Sequence, residues 1–198
     1  FEVILSQREH PGNWLRLEPD TASLTIRQTF HRKHKERAAQ IRIERINAIP
    51  EPPPTLTADV LEFVLGGCVQ HARMLTQIGA GWAERNASKP NVFCDAQEDD
   101  TKKFMDPQIK WQMAYLKLQP DEALIVEFTP PQCDYWMIAL HNHWMETLDY
   151  RYHQIALNNA TATAGPDGAI RCVVAHSEPG VQNWLDLAGH VNTVSGGG

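Results

Sequence analysis

Ala123-Leu-Ile-Val-Glu-Phe128, the step Pro130-Pro131 and Tyr135-Trp-Met-Ile-Ala-Leu140 decide the fold class. Each run is apolar, rich in β-branched or aromatic residues and too short for a buried helix, so both read as core strands. Downstream, residues 154–163 read as another strand, and Pro166-Asp-Gly168 marks a turn before Ala169-Ile-Arg-Cys-Val-Val-Ala175. Cys172 shares the phase of Ile170 and Val174 and reads as a small buried hydrophobe. Upstream, Ser23-Leu-Thr-Ile-Arg-Gln-Thr-Phe30 puts Leu24, Ile26 and Phe30 on one face, and Gln40-Ile-Arg-Ile-Glu44 alternates likewise. Residues 1–49 are therefore read as strands. The charged run His31-Arg-Lys-His-Lys-Glu-Arg37 between them has no apolar residue and reads as a solvated hairpin connection.

Pro50-Glu-Pro-Pro-Pro54 interrupts the strand pattern, and a helical insertion is predicted over residues 55–85. Thr57 suits its N-cap, and Asp59 suits the positive end of the helix dipole. Leu61, Leu65, Cys68, Ala72, Leu75, Gly79 and Trp82 recur at alternating steps of four and three, the spacing of a helix-packing seam. The pair Gly66-Gly67 costs about 1 kcal/mol per glycine in a helix interior and marks a kink or a close contact. Residues 86–120 are the least periodic. Gln97-Glu-Asp-Asp100 and Asp106-Pro107 suggest an irregular excursion that Trp111, Met113, Tyr115, Leu116 and Leu118 would dock. Strands, a helical insertion and strands again predict a mainly β protein, an antiparallel β-sandwich over residues 1–198.

The 198 residues suffice for one domain at roughly 150 residues each. Eighteen Lys and Arg against 24 Asp and Glu leave a net charge of -6, which argues against a dedicated nucleic-acid binder. No apolar run approaches the ~18 residues of a membrane span. The four cysteines lack zinc spacing and are expected to be free thiols, a cytoplasmic habit that does not exclude a periplasmic or secreted protein. Phe1-Glu2-Val3-Ile4-Leu5 carries no targeting signal, and the chain reads as a piece of a longer one, cut at both ends. Pro11-Gly-Asn-Trp-Leu-Arg-Leu17 recurs as Pro179-Gly-Val-Gln-Asn-Trp-Leu-Asp-Leu187, so two corners of similar geometry are expected.

Leu140-His-Asn-His-Trp-Met-Glu-Thr-Leu-Asp-Tyr150, Leu157-Asn-Asn159, Asp167-Gly168 and Pro179-Gly-Val-Gln-Asn-Trp-Leu-Asp-Leu-Ala-Gly-His190 resemble the domain-of-unknown-function 1214 family. Gly12-Asn-Trp-Leu15, Ile26-Arg-Gln-Thr-Phe30 and Ile43-Glu-Arg45 extend the resemblance to longer members. It covers both ends and is thin across 86–120. It implies a jelly-roll-like sandwich in mostly bacterial proteins of unassigned biochemical role, and it assigns no residue a role. It also implies a final strand after His190. Gly196 to Gly198 are poor strand formers, so that strand is expected to be missing and to leave an open edge.

Three chemistries are open to the polar residues. His141 and His143 with Glu146 resemble a cupin metal set, but Glu146 lies one residue closer than usual, and no metal or other cofactor is assigned. Glu146 and Asp149, with His190, are candidates for acid/base catalysis in a hydrolase or lyase, which requires two carboxyls with separated pKa values. Asn142, Trp144, Tyr150, Asn158, Asn159, Asn183 and Trp184 offer aromatic faces and amides for a small polar, carbohydrate-like ligand. No phosphate loop, nucleophile elbow or zinc-protease helix occurs. A ligand-binding module, non-catalytic or of unassigned activity, is the leading reading, with the hydrolase or lyase as the alternative. Oligomeric state is not legible.

Overall fold

The two apolar runs that decide the fold class lie on different sheets. In the computed structural model, which describes residues 1–46, 52–95 and 109–197, they are β5 (Ala123–Phe128) and β6 (Met137–His141). The other elements are β1 (Ile4–Ser6), β2 (Trp14–Arg16), α1 (Ala58–Asn86), β3 (Cys94–Asp95), β4 (Gln112–Lys117), β7 (Ala156–Asn158), β8 (Ile170–Ala175), β9 (Trp184–Asp186) and β10 (Asn192–Gly197). The described strands form a five-stranded sheet ordered β3-β4-β10-β6-β7, a three-stranded sheet β5-β8-β9 and an isolated pair β1-β2. Pro130-Pro131 removes two ladder donors where the chain passes from one sheet to the other.

One apolar core draws on both larger sheets. Leu116, Ile138, Leu140 and Leu157 come from the five-stranded sheet, and Cys172, Val174 and Leu185 from the three-stranded one. The fold is thus β-rich with one helix. Pairing is antiparallel except at β1-β2 and β8-β9, which are parallel, so the expectation of a wholly antiparallel arrangement is corrected. No described helix is long and apolar enough to cross a membrane.

Four expectations change. First, residues 192–197 are not a missing strand. β10 lies at the centre of its sheet, paired with β4 on one side and β6 on the other, through Gly196 and Gly197. Two ladders of backbone bonds outweigh the ~0.5–1 kcal/mol each glycine costs. Second, the stretch 86–120 contains β3 and β4, and Met113, Ala114, Tyr115 and Leu116 are buried in succession because β4 is covered on both faces. That double burial is why no alternation was visible. The acidic run 97–100 and Asp106-Pro107 lie outside the described residues.

Third, residues 1–46 carry only β1 and β2, while residues 23–30 and 40–44 run without any sheet partner among the described residues. Leu24, Ile26, Ile41 and Ile43 are about half exposed or more. Fourth, the seam of α1 is mostly uncovered. Gly79 and Ala83 are buried and Trp82 is half-buried, against a cluster containing Met113, Tyr115, Val194 and Met145. Residues 58–78 are all exposed, including Leu61, Leu65, Cys68, Ala72 and Leu75. Gly66 and Gly67 meet nothing, and the close approach is instead at Gly79, where a Cβ would stand 2.6 Å from the Trp144 carbonyl oxygen.

Candidate functional site

The connection from β6 to β7 holds most of the predicted polar residues. His141 closes β6, and the chain turns immediately afterwards, so His143 does not continue the alternation that a paired metal set requires. The Asn142 side-chain oxygen accepts from the backbone N–H groups of Trp144 (2.9 Å) and Glu146 (3.0 Å). Its amide donates to Glu146 Oε2 (2.7 Å), and the Asn142 N–H donates to the Glu146 carbonyl. Met145 takes up a positive φ of 64° within this turn. Asn142 and Glu146 therefore knit the turn. His143 stands edge-on to Trp144, with ring centroids 5.0 Å apart, and Trp144 remains half exposed.

His141 lies opposite Val194, and burial lowers the pKa of its imidazole. Its Nδ1 has no hydrogen-bond partner among the described residues. No three His, Cys, Asp or Glu side chains converge as metal ligands among those residues.

Asp149 is turned toward Arg151. It accepts from the Arg151 guanidinium at Nε and Nη2 (2.9 Å each) and from the Arg151 backbone N–H (3.0 Å). These bonds pull the Asp149 carboxyl down to about 2. Arg151 also lies 5.5 Å from the centre of the Tyr152 ring. Next to it, His153 Nδ1 is 2.7 Å from Asp186 Oδ2, while the other Asp186 oxygen accepts from the Ala188 N–H. A carboxylate in that position fixes which ring nitrogen faces outward. The partner of His153 is 33 residues away, so no local motif marked it.

The charged run 31–37 reaches the same region. Lys33 Nζ sits 4.0 Å above the Tyr150 ring, Arg32 donates to the Ala160 carbonyl (2.7 Å), and the Asn158 amide donates to the His31 carbonyl (2.8 Å). Asn158 also accepts from the Ala160 N–H, and Asn159 donates to the Asp134 carbonyl. Both asparagines are thus occupied in fastening the run 31–37 and the neighbouring turn. Tyr150 is half exposed, and Tyr152 is 81% exposed.

Asn183 and Trp184 lie elsewhere, at the start of β9. Asn183 accepts from the Thr163 N–H and donates to the carbonyls of Thr163 and Arg171. The Trp184 indole donates to the Ala175 carbonyl. A cleft of about 170 Å³ opens between Thr163, Gly165, Arg171, Gln182 and Asn183, but its Arg171 guanidinium is bound by Asp167 and Glu127. His190 is exposed on the turn before β10.

No family model and no curated protein matches this chain. It is similar to the crystal structure of an uncharacterized protein from Burkholderia cenocepacia, with 37% identity and a TM-score of 0.89. That match covers 98% of this chain and 54% of the other, so the chain spans about half the length of the Burkholderia protein. The VPA0106 protein from Vibrio parahaemolyticus aligns at 13% identity and a TM-score of 0.40, over 73% of this chain and 42% of its own. That likeness is too slight to bear on fold or function.

Proposed function

We propose that this chain is a jelly-roll-like β-sandwich protein of the domain-of-unknown-function 1214 family, and that it binds a small polar, carbohydrate-like ligand without catalysing a reaction. The shared core of the two larger sheets supports the architecture. The binding reading rests on one observation: Tyr150 and Tyr152 present exposed rings on the β6–β7 connection, with Lys33 and Arg151 beside them. Such rings stack on the C–H faces of a sugar, and adjacent cations favour an acidic one.

The acid/base alternative has less support. Asp149 is held ionised by Arg151 and has no proton to give near neutral pH, and Glu146 is bonded to Asn142. Calorimetric titration with neutral and acidic sugars tests the binding reading. A sugar that binds is expected to lose about tenfold or more in affinity on Tyr152→Ala, at unchanged melting temperature. Failure of every sugar to bind at millimolar concentration contradicts it.

A further inference from the structure

The sequence echo is a structural repeat with matching hydrogen bonds, and its two copies differ in what surrounds them. In the first, β1 and β2 run parallel with Ile4 opposite Trp14; in the second, β8 and β9 run parallel with Val173 opposite Trp184. The Ile4 N–H donates to the Asn13 carbonyl (2.8 Å), as the Val173 N–H does to that of Asn183 (3.0 Å). The Asn13 amide donates to the Glu2 carbonyl, as Asn183 does to Arg171, in each case two residues before the paired position. The Trp14 indole and the Leu17 N–H both donate to the Ser6 carbonyl. Trp184 and Leu187 repeat this at Ala175. After each corner comes a short turn; it leads into residues 23–30, which form no regular element, in one copy and into β10 in the other.

The surroundings diverge. β8 has β5 on its far side, and β10 lies between β4 and β6. Among the described residues β1 has no second neighbour, and no backbone group of residues 23–30 bonds to another of them. Burial follows the same division. Val174 and Leu185 are fully buried, whereas their counterparts Leu5 and Leu15 are 37% and 47% exposed. Val194 is fully buried, whereas Leu24 and Ile26 are 45% and 52% exposed.

We propose that β1, β2 and residues 23–30 are the closing strands of a second β unit built like residues 109–197, and that they dock into a partner domain supplying the strands that correspond to β4, β5 and β6. The partner is a β-rich domain with an open slot between two strands and an apolar face, a form of recognition by strand addition. The described residues of a second copy offer no such slot. Its β4 is already paired with β3 and β10, and its β6 with β10 and β7. The Burkholderia protein, nearly half of which lies outside the match, has length enough for such a domain.

Hydrogen exchange on this chain and on the intact Burkholderia protein, each with its mass measured by ultracentrifugation, decides the matter. In this chain, amides of 173–187 and β10 are expected to be protected, and those of 4–17 and 23–30 to exchange within about tenfold of the free rate. In the Burkholderia protein the residues aligned with 4–17 and 23–30 are expected to be slowed by about a thousandfold or more. Fast exchange at those positions in the Burkholderia protein overturns the proposal. So does protection in this chain, whether as a monomer, which needs no partner, or as a dimer, where a second copy fills the role.

Discussion

Asp149 and Asn142 illustrate how the same residue types divide between fold and chemistry. A run rich in His, Asn, Glu and Asp after a strand was legible as a polar cluster, but nothing in its spacing says which side chains turn back onto the backbone. Asn142, Glu146, Asn158 and Asn183 do so, each bonding at least one main-chain group or the partner that does. Asp149 and Asp167 are instead held by arginines, each carboxyl falling from 3.8 to about 2. A carboxylate whose folded pKa is depressed stabilises fully above its unfolded pKa, and that contribution is lost as pH falls toward the folded one. The melting temperature is therefore expected to fall between about pH 4 and pH 2, and to fall less in Asp149→Asn/Asp167→Asn. Both pairs are exposed, so the difference should shrink in high salt; an identical acid profile for the double variant contradicts the assignment. Cys172 was legible from its phase, and its thiol is buried and raised to about 11. A thiol reagent at neutral pH is expected to label Cys68, Cys94 and Cys133 in the native chain and Cys172 only after unfolding. Fast labelling of four thiols in the folded protein argues against that core.

At the scale of elements, α1 was readable in its ends and its period but not in its burial. Thr57 caps it as expected, accepting from the Val60 N–H. A four-three seam reports that a face is apolar; it does not report how much of that face a neighbour reaches. Only the last two turns touch the sheet, leaving ~30 Å of helix clear of it. Leu65→Asp is expected to change stability by no more than about 0.5 kcal/mol in this chain, because the side chain already faces water. Gly79→Ala is expected to cost about 1–3 kcal/mol, since its methyl would overlap the Trp144 carbonyl oxygen. Urea unfolding of both variants checks the pair, and a reversal of the two costs would mean that the helix docks by its N-terminal half. β4 and β10 escaped sequence reading for opposite reasons. One is apolar on both faces and shows no alternation; the other ends in glycines whose pairing is set by β4 and β6 rather than by their own propensity.

Across the whole molecule, strand composition made a β-rich fold with one helix legible, while sheet order was not. β10 joins residues about 80 and 55 positions earlier in the chain, and no local pattern encodes such a pairing. The repeated Asn-Trp-Leu corner is legible as sequence, and four of its hydrogen bonds recur in both copies. What differs is enclosure, which sets different energies for two leucines in equivalent places. Leu185 is fully buried beside Val174, and Leu15 is 47% exposed beside Leu5. Equilibrium urea unfolding of Leu185→Ala and Leu15→Ala in this chain tests it. A loss of about 2–5 kcal/mol is expected for Leu185→Ala and no more than about 0.5 kcal/mol for Leu15→Ala. Equal losses at the two positions would contradict a closed C-terminal unit standing beside an open N-terminal one.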